Sequence, residues 1–364
     1  MEQEYKELAG RTIIAGFEGT ALPSYLASEI EAGELGGVIL FSRNVESAEQ
    51  VKALLDEIHS RAPEGKRPLI SVDQEGGRVV RIREPLTVLP PALQLGKPMG
   101  ETASESAKDA KRIYLAGKLV GHELRALGFS LNFAPVFDVN TNPDSPVIGD
   151  RSFGASPKEV VTYGLGFARG LRDGGVFPCA KHFPGHGDAS VDSHLDLPTV
   201  HHDELRLMEI EVEPFAAWAK TGLGPIMTAH VMYPALDAAQ PATMSRTILT
   251  GLLKERLHFD GAVITDDLEM GAITKGVGTT RAAVNTIRAG ASGVLVCHTE
   301  ALQHEVKTAL IQEARMNTDF HLKLKKAVTR LAPLAYPAGP DIPFEWIGSD
   351  RHQRLREQVL GGGQ

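Results

Sequence analysis

The stretch Lys181 to Leu197 reads KHFPGHGDASVDSHLDL and holds one lysine, three histidines and three carboxylates. A buried helix or strand would leave some of those groups without partners, which is costly. A loop beside a cavity could put them to acid–base work. Within it, Asp192-Ser193-His194 sets a carboxylate two residues before an imidazole, where it can fix the ring's tautomer and basicity. An isolated Asp-Ser-His is more often a surface turn. Its place on the same loop as Lys181 and His182 argues for chemistry. Further along, Asp266 and Asp267 end the apolar run GAVITDD. Neighbouring strand residues point to opposite faces, so one can face a pocket while the other anchors its wall. A carboxylate kept ionised by nearby cations could serve as a nucleophile.

The same residues could also serve other chemistries. His182, His186 and His194, with Asp188 and Asp192, could be zinc ligands. The spacing offers no HExxH and matches no zinc pattern, so hydrogen-bonding roles are expected, with no metal and no cofactor. Arg78, Arg81 and Arg151 fall on loops after strand-like runs. Each could bind a sugar hydroxyl, an acyl carbonyl or a carboxylate.

These groups need a frame. Eight apolar runs begin at Thr12, Gly36, Pro68, Ser130, Val176, Pro225, Gly261 and Gly293. They are nearly continuous and not alternating, as expected of parallel strands covered on both faces. Between them the periodicity predicts helices over Ser47 to Arg61, Lys108 to Leu127, Pro157 to Arg172, Thr247 to Leu257 and Thr279 to Ala289. Ser47 suits an N-cap, and Gly128, Gly174 and Gly290 suit C-caps. Eight βα units imply an α/β fold of the (β/α)8 TIM-barrel type, with an open doubly wound sheet as the alternative. Asp73, Asp138, Lys181 with His182, His230, Asp266 with Asp267, and His298 all fall at strand C-terminal ends, where such barrels gather reacting groups.

The expected organisation is one catalytic barrel over 1–311 and a helical extension over 312–364 packed against it. That extension is read as an amphipathic helix from Arg315 to Leu331, a proline-rich connection, and a short polar helix from Asp350 to Leu360. The 364 residues carry a net charge of −8, which argues against general affinity for nucleic acid or anionic membrane. Cys179 and Cys297 sit in apolar runs and read as buried thiols of a reducing compartment. The acidic N-terminal segment reads as no signal peptide. A cytoplasmic, monomeric protein is expected.

Four segments, taken together, resemble a known family. KHFPGHG followed four residues later by DSH, VDQEGGRVVR, GDRSFG, and LLKERLHFDGAVITDD are similar to glycoside hydrolase family 3. Within it they resemble the single-domain β-N-acetylhexosaminidases of bacterial peptidoglycan recycling. The resemblance runs from about Gly10 to Thr299 and leaves the chain after Ile311 outside it. It implies Asp266 as nucleophile, His194 as acid/base and Asp192 as its partner. It further implies that Asp73, Arg81, Arg151, Lys181 and His182 hold an N-acetylglucosamine ring. Ala262 departs from the bulkier residue usual after the glycine, which bears on packing alone.

The expected function is therefore retaining hydrolysis of terminal β-linked N-acetylglucosamine, from a small carbohydrate of the GlcNAc-1,6-anhydroMurNAc type. A glycosyl-aspartate intermediate and a histidine acid/base would carry it. The alternatives are a phosphorylase giving GlcNAc-1-phosphate, a sugar-binding protein without catalysis, and a metal-dependent hydrolase.

Overall fold

A computed structural model describes residues 2–97, 103–142, 145–188 and 197–361. Its strands are β1 (Ile13–Ala15), β2 (Gly37–Leu40), β3 (Leu69–Val72), β4 (Leu131–Asn132), β5 in two segments (Phe177–Pro178 and Ala180–Phe183), β6 (Ile226–Thr228), β7 (Val263–Asp267) and β8 (Gly293–Val296). Every pairing is parallel and follows chain order, and β1 also pairs with β8. The two segments of β5 are one strand interrupted at Cys179. The first pairs with β4 and the second with β6, so the eight strands close into a TIM barrel. All eight expected strands are found where the apolar runs lie.

The alternation of strand side chains sorts the core into an inside and an outside. In β2, Ile39 points inward and packs with Ile14, Leu69, Leu131, Met227, Ile264 and Leu295. Its neighbours Val38 and Leu40 face outward, onto Val51, Leu54, Leu55 and Ile58 of helix Ala48–Arg61. Both faces are buried, which is why the run is apolar throughout.

Local signals set the helix limits. The Ser47 side chain accepts from Gln50 N–H at 3.1 Å and starts helix Ala48–Arg61. Ser156 and Glu159 form a reciprocal capping box, with Pro157 in the first turn, and start helix Pro157–Asp173. Gly290 ends Thr279–Ala289 in the left-handed conformation. Gly174 is the C-cap of Pro157–Asp173, as expected, without the left-handed conformation. It stays right-handed, and Gly175 takes the positive φ of 104°. Glycine is required at 174 for another reason: a Cβ there would lie 2.7 Å from Gly121 Cα of helix Ala103–Leu127. Segment Thr247–Arg256 is helical with π-type bonding, a detail that periodicity does not reveal.

Ile311, after which the extension was expected to begin, lies inside helix Glu300–Met316. The break comes at Asn317, whose side chain accepts from Phe320 N–H at 3.1 Å and caps Thr318–Leu331. Arg315 thus belongs to the preceding helix, and not to the one expected from Arg315 to Leu331. The last helix, Asp350–Leu360, packs on Ala103–Leu127. There His352 Nε2 lies 2.7 Å from Glu123 Oε1, both fully buried. The same oxygen accepts from the N–H and the hydroxyl of Thr87, at 2.9 and 2.6 Å, on the loop that follows β3. Among the described residues, no helix is long and apolar enough to cross a membrane.

Candidate active site

A cavity of about 490 Å³ opens at the C-terminal ends of the strands. Asp73, Arg81, Arg151, Lys181, His182 and Asp266 all line it, brought from four different βα units. Asp192 and His194 lie outside the described residues. Ile39, Phe133, Met227 and Leu295 form the apolar floor.

One wall is an ion network. Lys181, buried, places Nζ 2.7 Å from Asp73 Oδ1 and 2.6 Å from Glu75 Oε1. Arg151 grips Glu75 with two bonds, Nε to Oε2 at 2.9 Å and Nη2 to Oε1 at 2.8 Å. Arg81 Nη2 lies 3.5 Å from Asp73 Oδ2. Buried ions persist only when paired in this way. Burial pushes the Glu75 carboxyl up, but the charges of Arg151 and Lys181 outweigh it and hold the acid far below its usual range. Burial pulls Lys181 down, and Asp73 and Glu75 more than reverse that. Lys181 is therefore a fixed ammonium, and Glu75 and its partners a rigid mount for it.

Glu75 was not anticipated. Its spacing of two from Asp73 was the available signal, since alternate residues of an extended segment share a side.

A second mount holds His182. Asp138, fully buried, accepts from His182 Nδ1 at 2.7 Å, from the His182 N–H at 3.1 Å and from the His186 N–H at 2.6 Å. Nδ1 thus carries a proton, and Nε2 is the ring nitrogen left for the cavity. Burial opposes ionisation of Asp138, but the His182 ring and those donors hold its carboxyl low. Burial and the neighbouring His182 push His186 down to about 4. Asp138 stood among the strand-end groups in the sequence, without a specific role.

Asp266 and Asp267 divide as the strand alternation implies. Asp267 builds the wall: Oδ1 accepts from the N–H of Glu269 at 3.1 Å and of Cys297 at 3.3 Å, and Oδ2 lies 3.1 Å from His298 Nε2. Its N–H donates to Asp266 Oδ1 at 2.8 Å. Asp266 is half-buried on the cavity side. Burial pushes its carboxyl up, yet His182, His230, the Asp267 N–H and Lys181 together hold it below the ordinary range. His230 is itself kept neutral by burial, so its help at neutral pH is dipolar. Nε2 of His230 donates to the Asp267 carbonyl at 2.9 Å. The result is an ionised carboxylate beside a fixed ammonium and an oriented imidazole. That set can attack an electrophilic carbon and hold the hydroxyls around it. Among the described residues, no group of three His, Cys, Asp or Glu is placed to hold a metal ion.

The chain is similar to proteins of known family. Residues 14–331 match the glycosyl hydrolase family 3 N-terminal domain. The match runs through helix Thr318–Leu331, beyond Thr299, where the motif resemblance ends, and into the chain after Ile311 that it left outside. A beta-hexosaminidase of Hydrogenovibrio crunogenus is 38% identical over 325 residues, covering 86% of this chain and 88% of its own. One from Thiobacillus denitrificans is 41% identical over 330 residues, covering 91% and 88%. Among solved structures, a glycoside hydrolase family 3 beta-N-acetylglucosaminidase from Paenibacillus sp. superposes with a TM-score of 0.86 at 37% identity, over 97% of this chain and 68% of that one. NagZ from Neisseria gonorrhoeae, in complex with N-trifluoroacetyl-D-glucosamine, does so with a TM-score of 0.83 at 30% identity, over 96% and 97%. Its match through nearly nine-tenths of its length, with relatives of like size, makes this chain a member of glycosyl hydrolase family 3.

Proposed function

We propose that this glycosidase is a retaining β-N-acetylhexosaminidase. It removes terminal non-reducing β-linked N-acetylglucosamine, and its natural substrate is a cell-wall muropeptide of the GlcNAc-1,6-anhydroMurNAc type. The observation that carries the reading is Asp266, an ionised carboxylate on the cavity side of β7, steadied by the Asp267 N–H and facing Lys181 and His182.

In the first step an Asp266 oxygen bonds to the anomeric carbon. The glycosidic C–O bond breaks, and the leaving oxygen takes a proton from His194. In the second step water attacks the same carbon, its proton passes to His194, and Asp266 leaves. Asp192 sets the His194 tautomer. A neutral imidazole adds no second negative charge beside the nucleophile, and its unperturbed pKa of about 6.5 lets it act in both directions near neutrality. Asp73, Arg81, Arg151, Lys181 and His182 bind the sugar ring. The names of the relatives support the hexosaminide, and the motif resemblance supports the muropeptide.

The protein works as a cytoplasmic monomer in this reading, with the buried free thiols Cys179 and Cys297 as support. The test is a slow fluorinated N-acetylglucosaminide with an activated leaving group. A covalent adduct on the peptide that contains Asp266, and a β-configured first product by NMR, are expected. An α-configured product would reject the retaining mechanism.

A further inference from the structure

At the end of the barrel opposite the active site, Arg67 shortly precedes β3 and Gly128 shortly precedes β4. A cavity of about 590 Å³ lies there, walled by residues 341–345 of the C-terminal segment. Two guanidiniums line it, from Arg67 and Arg125. Arg67 Nε donates to His59 Nδ1 at 2.9 Å, and His59 Nε2 donates to the Gly128 carbonyl at 3.1 Å. Those two bonds require a neutral ring with its proton on Nε2. Burial, then the Arg67 charge, push His59 down to about 4, in keeping with that tautomer. Arg67 is thus held by an uncharged group, and no carboxylate among the described residues pairs with it.

Arg125 lies deeper, 12% exposed. Its Nη2 donates to Asp341 Oδ1 at 2.6 Å, while Nε is buried and has no hydrogen-bond partner among the described residues. Asp341 is 86% exposed and neutralises Arg125 weakly. At the rim, Lys52 is paired with Asp56, and Glu345 is exposed. Burial, then the Arg125 charge, disfavour the Arg67 cation, and the nearby Asp56 charge offsets them only in part. Two like charges lining one cavity, one of them without an anion, are unfavourable until an anion joins them.

We propose that this cavity is a binding site for a phosphoryl group, free or carried on a small molecule, gripped by Arg67 and Arg125. A carboxylate's two oxygens satisfy one guanidinium fork, whereas the three terminal oxygens of a phosphate can serve two. The volume lies within the range of small-molecule sites, about 300–1,000 Å³. Pro343 and Phe344 form the apolar wall against which the body of a phosphate ester would pack. The C-terminal segment thereby gains a binding role.

The test is thermal unfolding of the full chain against rising inorganic phosphate and, separately, glucose 6-phosphate, with sodium chloride of equal ionic strength as reference. A ligand that binds the folded state alone raises Tm by mass action. Saturable rises above the reference are expected. A lower midpoint for the ester identifies an ester as the occupant, and equal midpoints identify free phosphate; both support the site. R67Q and R125Q should each raise the midpoint about tenfold or more, the scale for losing charged hydrogen bonds. R67K, which keeps the charge and loses the fork, should also weaken binding and serves if R67Q does not fold. R81Q, at the other end of the barrel, should leave the response unchanged. No rise above the chloride reference, or equal midpoints in wild type and all the Arg67 and Arg125 variants, would overturn the proposal.

Discussion

Lys181 Nζ lies 2.6 Å from Oε1 of Glu75, the same carboxylate that takes both arms of the Arg151 fork. Glu75 is the hub of this wall, since removing it takes the carboxylate from Arg151 and leaves Lys181 with Asp73 alone. E75Q should cost about 3–5 kcal/mol of stability, the range for breaking a buried ion pair from one side. It should also raise KM about tenfold or more through misplacement of Lys181 and Arg151. Urea unfolding and steady-state kinetics on an aryl N-acetylglucosaminide measure both. A Glu75 of little weight would leave both values within error of wild type.

Asp266 separates chemistry from folding. D266N keeps an acceptor for the Asp267 N–H and removes the attacking charge. We expect kcat to fall on the order of 10⁴–10⁶-fold, as for loss of a catalytic nucleophile, with a small fall in the urea midpoint from loss of the stabilising charge. A residual rate within a factor of ten of wild type would assign the nucleophile to another group.

His194 is tested by leaving-group dependence. H194A should slow a poor leaving group, such as a disaccharide, by about 10²–10⁴-fold. An activated dinitrophenyl glycoside needs little protonation and should lose much less in its first step. Equal losses on both substrates would remove His194 from the acid role.

Acid should weaken the fold in two stages. His59, His122 and His186 are each pushed from an ordinary value near 6.5 down to about 4. The unfolded chain binds more protons than the folded one across that window. Stability is therefore full above the unfolded value and falls as pH drops from about 6.5 toward 4. Glu75, Asp138 and Asp266, all held low, add a further loss below the ordinary carboxylate range. Urea midpoints at pH 7.5, 6 and 5 should decline. H186N should flatten the upper stage, and an unchanged slope would exclude its share.

The sequence exposed the barrel well because each strand, covered on both faces, is an uninterrupted apolar run, and because strand ends concentrate charge. It exposed the cavity groups that carry rare motifs, such as Lys181 and His182. It was silent on Glu75 and on the particular role of Asp138, whose work is to fix other side chains. Such mounting depends on contacts across 106 positions for Glu75 and Lys181, and across 44 for Asp138 and His182. No local pattern encodes those pairings. The break at Asn317 was hidden for a different reason: the helical period continues across it, and only a side-chain cap interrupts the backbone.

Glu123 fastens the final helix, through His352, and the loop bearing Arg81, through Thr87, with one oxygen atom. The first turn of the final helix and an arginine of the cavity wall therefore share an anchor. A version of the protein shortened before Ser349 would keep every residue of the barrel mouth and still lose part of the brace behind it. Trimming the tail would register first as looser sugar capture, well before the barrel itself gave way.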